Sequence, residues 1–121
     1  MPSDLYSAAV LEHSAHPRNF GELPDATNTV EATNPVCGDE LRLAVRVEDG
    51  RIAVARFYSR GCKAAIASAS LLTELMTGKK IEEIREITAE QISQALGGLP
   101  AATRHGSQLA EDALDALLDE L

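Results

Sequence analysis

The segment from Glu40 to Arg60, ELRLAVRVEDGRIAVARFYSR, predicts two β-strands joined by a tight turn. In residues 40–48 apolar and charged side chains alternate, which is typical of a strand with one buried face. Asp49-Gly50 is a strong signal for a two-residue hairpin turn, because residues of these types accept a positive φ. Residues 51–59 supply the returning strand, with apolar side chains at Ile52, Val54, Ala55 and Phe57. The segment therefore predicts an antiparallel hairpin.

Upstream of the hairpin the sequence predicts a short helix and then a long loop. Residues 4–15 begin with Asp4, which suits an N-cap, and carry apolar residues at helical spacing, namely Leu5, Ala8, Ala9 and Leu11. His16-Pro17 ends this helix, since the residue before a proline disfavours the helical conformation. Residues 17–36 are rich in Pro, Asn, Gly and Thr, so we expect a loop with a short edge strand near residues 29–33.

Downstream of the hairpin the sequence predicts helices. Residues 63–77 are rich in small side chains and contain no helix breaker before Gly78, so we expect a helix that lies close against the sheet. One or two helical turns follow at residues 81–87. The next helix, residues 88–96, opens with a capping box, Thr88-Ala89-Glu90-Gln91.

The last predicted helix spans about residues 105–120 and carries an apolar stripe formed by Leu109, Ala113, Leu114, Leu117, Leu118 and Leu121. Strands come first and helices later along the chain, which favours an α+β fold. We therefore predict one domain over residues 1–121, with a small antiparallel three-stranded sheet and helices packed on one face.

The composition limits the functions that are possible. The chain has 121 residues, of which 45% are hydrophobic, enough for a core without disulfides. Its net charge of −8 argues against binding to nucleic acid, which needs clustered basic residues. No apolar run is long enough to span a bilayer, and no signal-peptide pattern is visible. We therefore expect a cytoplasmic protein with no nucleic-acid or membrane partner.

Three junctions between predicted elements carry residues that can bind a metal. Cys37 and Asp39 lie in the loop before the first hairpin strand, Cys62 lies where the second strand meets a helix, and His105 begins the last helix. The dipole and free N–H groups of a helix N-terminus favour a thiolate. Because the chain has only two cysteines, a four-coordinate metal site also needs nitrogen or oxygen ligands. These four residues form the candidate site.

Each of these residues also has an ordinary structural explanation. A single cysteine is most often a small buried hydrophobic residue, an aspartate after glycine often belongs to a turn, and a histidine before a helix often acts as a local cap. The spacing of the two cysteines is not a recognised zinc spacing. His13 and His16 are alternative ligands, although we interpret them as surface residues at the end of the first helix.

Four segments, in order and at similar spacing, match a known family. They are Tyr6…His13…His16-Pro17-Arg18-Asn19, Asn34-Pro35-Val36-Cys37-Gly38-Asp39, Gly61-Cys62-Lys63-Ala64-Ala65-Ile66-Ala67-Ser68-Ala69-Ser70, and His105-Gly106-Ser107-Gln108-Leu109-Ala110-Glu111-Asp112-Ala113. In these segments, which span nearly the whole chain, the sequence resembles the iron–sulfur cluster assembly scaffolds of the IscU/NifU type.

The resemblance implies a function and a set of ligands. Scaffolds of this family receive sulfur, as persulfide, from a cysteine desulfurase, collect iron, build a [2Fe–2S] cluster and pass it to recipient proteins. The same site can bind zinc. By resemblance, Cys37, Asp39, Cys62 and His105 fall on the family's ligand positions. A protein of this kind is not an enzyme that turns over a small substrate.

The chain departs from the family pattern at two places. Gly106 stands where the family has its third site cysteine, a cluster ligand and in many members the sulfur acceptor. The segment Leu99-Pro100-Ala101-Ala102-Thr103 lacks the second proline and the lysine of the family's chaperone-binding segment, so we expect no dedicated Hsp70-type chaperone. Two alternatives therefore accompany the scaffold hypothesis, namely a zinc-bound sulfur-transfer partner of a cysteine desulfurase and a degenerate scaffold that retains only partner binding.

Overall fold

The computed structural model describes residues 6–36 and 38–121 and contains one three-stranded sheet and several helices within them. In chain order the elements are α1 (Ala8–Ala15), β1 (Asn28–Thr33), β2 (Glu40–Glu48), β3 (Arg51–Arg60), α2 (Lys63–Met76), α3 (Ile81–Ile84), α4 (Ala89–Ala95), a 3₁₀ helix (Ala101–Thr103) and α5 (His105–Glu120). The predicted α+β fold is confirmed.

The sheet has the order β1-β2-β3, with both neighbouring pairs antiparallel. The predicted hairpin is confirmed: Glu48 pairs with Arg51 across a turn in which Asp49 and Gly50 have φ values of 54° and 74°. These positive φ values match the right-handed twist of the two strands. The strand β3 ends at Arg60, one residue later than expected. The predicted edge strand is β1.

The core lies between one face of the sheet and the helices α2 and α5. The buried face carries Leu41, Leu43 and Val45 on β2 and Ile52, Ala55 and Phe57 on β3, with a register shift between Arg46 and Val47 that accounts for the three-residue step from Ile52 to Ala55. Because α2 contributes the small side chains of Ala64, Ala65, Ala67 and Ala69, this helix approaches the sheet closely. The predicted stripe of α5 is buried from Leu109 to Leu117, whereas Leu118 and Leu121 are half-buried and pack at the edge of the core.

The first helix begins later than predicted and packs against α2. It starts at Ala8, with Ser7 as the N-cap whose Oγ accepts a hydrogen bond from the amide of Val10 at 3.1 Å. Asp4, which the sequence suggested as the cap, lies outside the described residues. Both Asp4 and Ser7 are good capping residues, so the local sequence did not distinguish them.

The interpretation of His13 as a surface residue was wrong. Only 12% of its side chain is exposed, and its Nδ1 lies 2.8 Å from the Oγ of Ser70 on α2. Burial lowers the pKa of His13, and the guanidinium of Arg18 adds to this effect. The side chain of His13 lies on the face of α1 that packs against α2. The spacing of apolar residues within α1 did not indicate this contact. His16 is exposed, as expected.

The short helices connect α2 to α5. The predicted capping box is confirmed, because the amide of Gln91 donates to the Oγ1 of Thr88 at 3.1 Å and the Gln91 side chain accepts from the Thr88 amide at 3.2 Å. The 3₁₀ helix at Ala101–Thr103 was not predicted. Among the described residues, no helix has the length and apolar character needed to cross a bilayer.

Candidate metal site

Three side chains from separate elements meet at the N-terminal ends of α2 and α5. Asp39 comes from the loop before β2, Cys62 is the N-cap of α2, and His105 is the first residue of α5. The Cys62 Sγ lies 3.4 Å from the His105 Nε2 and 3.6 Å from the Asp39 Oδ2. The His105 Nε2 lies 3.4 Å from the same Asp39 oxygen. Three of the four candidate ligands are thus together, and Cys37 lies outside the described residues.

The loop that positions Asp39 is closed by its own backbone. The amide of Asn34 donates to the carbonyl of Asp39 at 2.8 Å, and the amide of Gly38 donates to the carbonyl of Asn34 at 2.7 Å. Gly38 has a φ of 78°, a conformation that favours glycine. Asp39 is only 7% exposed, so this turn delivers a nearly buried carboxylate to the site.

The electrostatics of Cys62 differ from the expectation for a helix N-terminus. Burial raises the pKa of the Cys62 thiol, and the neighbouring carboxylate of Asp39 also raises it. The backbone amides of Ala65 and Ala64, at the start of α2, lower the pKa and do not outweigh the burial. The N-terminus of α2 therefore stabilises the thiolate as expected, but burial outweighs this effect and the pKa of Cys62 is raised. Lys63 is exposed.

Gly61 lies against the Asp39 side chain and leaves room for its carboxylate. A Cβ atom at Gly61 would lie 2.7 Å from the Cγ and 2.9 Å from the Oδ1 of Asp39, closer than real Cβ contacts. Any side chain at this position would therefore displace the carboxylate. Gly61 belongs to a motif noted in the sequence, but this contact with Asp39 was not predicted. The signal available in the sequence was the position of Gly61 directly before the candidate ligand Cys62.

The separations of these three side-chain atoms are compatible with binding to one tetrahedral metal ion. Zinc bonds of about 2.3 Å to sulfur and about 2.0–2.2 Å to nitrogen and oxygen, at tetrahedral angles, place the ligand atoms roughly 3.3–3.6 Å apart. The three observed separations are 3.4, 3.6 and 3.4 Å. Sulfur, nitrogen and oxygen donors together suit zinc or iron. Within the part of the chain that the structure describes, neither His13 nor His16 belongs to this group.

Comparison with known proteins agrees with the fold and the motifs. The model of the family "NifU-like N terminal domain" matches residues 5–120, and the chain belongs to this family. The chain is 46% identical over 110 residues to "Iron-sulfur cluster assembly scaffold protein IscU 1" of Archaeoglobus fulgidus. This match covers 91% of this chain and 72% of the relative. It is 46% identical over 117 residues to the scaffold protein IscU of Azotobacter vinelandii, covering 92% and 89% of the two chains.

Solved structures show the same fold. The crystal structure of a putative iron–sulfur cluster assembly scaffold protein for the SUF system, from Fervidobacterium islandicum AW-1, superimposes with a TM-score of 0.78. The match covers 96% of this chain and 98% of that one at 21% identity. The N-terminal part of a NifU-like protein from Brucella abortus superimposes with a TM-score of 0.77 at 18% identity, covering 98% and 97%.

Proposed function

We propose that this protein is an iron–sulfur cluster assembly scaffold that holds a labile cluster or iron at the Asp39–Cys62–His105 site and passes it to recipient proteins. The observation that carries the proposal is the convergence of three metal-binding atoms within 3.6 Å of one another. The names of the relatives favour a scaffold over a zinc-bound sulfur-transfer protein. A degenerate scaffold that only binds partners would not require these three side chains to converge.

The residues of the site have distinct roles in holding the cargo. Cys62 supplies a thiolate once its proton has left, His105 supplies a neutral imidazole nitrogen, and Asp39 supplies a carboxylate oxygen. Cys37 is the fourth ligand in this proposal. Imidazole replaces thiolate on one iron of some [2Fe–2S] centres, so this mixed ligand set is compatible with a cluster. Zinc is the alternative occupant of the same site.

The sulfur of the cluster requires a partner that supplies it, and we propose a cysteine desulfurase. In a persulfide transfer, a thiolate of this chain attacks the outer sulfur of the desulfurase persulfide, and the desulfurase thiolate leaves. Cys37 and Cys62 are the only thiols in the sequence, so one of them is the acceptor. This role is that of a carrier without turnover of a small substrate, although a Drosophila melanogaster relative, 42% identical over 122 residues, is named an assembly enzyme.

The proposed function is tested by elemental analysis of protein purified without oxygen. We expect iron and acid-labile sulfide in similar amounts in the natural protein, and neither in a Cys62→Ala variant. A Lys63→Ala variant is the control, because it changes the exposed neighbour of Cys62. Zinc without sulfide, lost in Cys62→Ala, would instead support the sulfur-transfer alternative. Absence of metal from all three proteins would contradict the proposal.

The affinity of the site for metal is expected to rise with pH. Because burial raises the pKa of the Cys62 thiol above its ordinary value of 9.0, the metal-free site holds this proton at neutral pH. A metal ion must displace this proton and that of any other thiol ligand, so the zinc dissociation constant should fall at least about tenfold for each pH unit below that pKa. Competition titrations between pH 7 and 8.5 measure this slope. A dissociation constant that does not change over this range would contradict the protonated thiol.

A further inference from the structure

Gly106 lies at a close contact between α5 and the first turn of α2, next to the site. It is buried in the first turn of α5, directly after His105. A Cβ atom at Gly106 would lie 2.7 Å from the carbonyl carbon of Ala64, 2.8 Å from its oxygen and 2.8 Å from the amide nitrogen of Ala65. Real Cβ atoms essentially never come this close to another heavy atom. The backbone therefore leaves no room for a side chain.

The neighbours of Gly106 cannot move aside as a side chain could. They are backbone atoms in the first turn of α2, and the side chains of Ala64 and Ala65 are at most 2% exposed. A shift of α2 would separate these alanines from the core. At Gly61, by contrast, the obstructing atoms belong to the Asp39 side chain, which can change its rotamer. A side chain at position 106 would therefore move the helix α5 itself.

The same contact sets the distance between two ligands. His105 precedes Gly106 on α5, and Cys62 caps the helix whose first turn meets Gly106. The separation of 3.4 Å between the His105 Nε2 and the Cys62 Sγ thus depends on how closely the two helices pack. Moving α5 outward would carry His105 away from Cys62 and open the group of ligands.

We propose that Gly106 is a positioning residue that closes the α2–α5 contact and fixes the ligand geometry, and that a cysteine at position 106 does not become a ligand in this chain. On this proposal, introducing a cysteine at position 106 would weaken metal binding by the ligands already present. The ligand part of this inference rests on the proposed function. The steric part does not, because it concerns the metal-free protein.

Three variants test the inference: Gly106→Ala, Gly106→Cys and the control Gln108→Cys, which adds a thiol at an exposed position in the same turn. Thermal unfolding of the metal-free proteins measures the steric effect. Alanine is favoured over glycine inside a helix, so without a steric clash Gly106→Ala would raise the unfolding temperature. We expect Gly106→Ala and Gly106→Cys to lower it, or to prevent folding, and Gln108→Cys to leave it nearly unchanged.

Cobalt(II) measures the ligand effect, because each coordinated thiolate adds to the sulfur-to-cobalt charge-transfer absorption. We expect cobalt affinity to fall about tenfold or more in Gly106→Ala, as it does when groups that orient a ligand are lost. We expect no added thiolate absorption in Gly106→Cys. Equal or higher stability of Gly106→Ala, or a gain of absorption in Gly106→Cys, would overturn the inference. If the natural protein binds no cobalt, the proposed function fails, whereas the unfolding temperatures still decide the steric part.

Discussion

Replacing His105 with alanine is expected to lower the affinity of the site for zinc or iron by more than about 100-fold. Loss of a group that only orients a metal ligand typically costs 10- to 100-fold, and His105 is proposed to be a ligand itself. Its Nε2 lies 3.4 Å from both the Cys62 Sγ and the Asp39 Oδ2, so its removal leaves two of the three described donors. Competition with a chelator of known affinity measures the change.

The matched control for this experiment is His16→Ala. His16 is exposed at the end of α1 and is not part of the group formed by Asp39, Cys62 and His105. We expect its replacement to leave metal affinity within about twofold of the natural protein, since surface changes away from such sites have small effects. Equal losses in the two variants would show that the described group is not where the metal binds.

Replacing Phe57 with alanine is expected to lower the free energy of unfolding by about 3–5 kcal/mol, the range for removal of a buried phenylalanine. Phe57, on β3, is 1% exposed. Its ring also makes an edge-to-face contact with Phe20, with ring centroids 5.4 Å apart and an interplanar angle of 89°. Both the burial and this aromatic pair are lost in the variant. Urea unfolding of the metal-free protein measures the loss.

The next residue along β3 provides the control. Tyr58 points to the opposite face of the sheet and is 45% exposed, and its ring also contacts Phe20 with centroids 5.6 Å apart, so Tyr58→Ala should lower the free energy of unfolding by only about 1 kcal/mol. The two variants remove rings of similar size from adjacent positions. Similar losses for both would contradict the assignment of the buried face of β3.

Local patterns predicted most of the secondary structure. The alternation in β2 and the Asp49-Gly50 turn specify the hairpin almost residue by residue, because both signals depend only on neighbours in sequence. Two features were predicted incorrectly, namely the first residue of α1 and the exposure of His13. The first depends on a choice between two capping residues, and the second depends on the position of α1 against α2, which no local pattern contains.

The sequence named three residues whose side chains the fold brings together, but it did not indicate the electrostatic environment of Cys62. The motifs singled out Asp39, Cys62 and His105, and the fold brings their side chains together. The direction of the Cys62 pKa could not be predicted, because the helix dipole is visible in the sequence whereas the burial that outweighs it arises from packing. The contact of Gly106 with α2 also arises from the packing of the two helices, so it could not be predicted from the sequence. Sequence alone presents this residue as a missing ligand.

The two edges of the sheet differ in their exposure to other chains. The outer edge of β3 makes backbone hydrogen bonds to other segments at two residues. Phe57 hydrogen-bonds to Asn19 and Gly21, and Ile52 hydrogen-bonds to Gly78 and Lys79. The outer edge of β1 pairs with no further strand of the described sheet. An open edge invites pairing between molecules and aggregation, and a short strand with a charged residue resists it. The exposed Glu31 near the middle of β1 meets the second condition, and its charge disfavours pairing of this edge with another molecule.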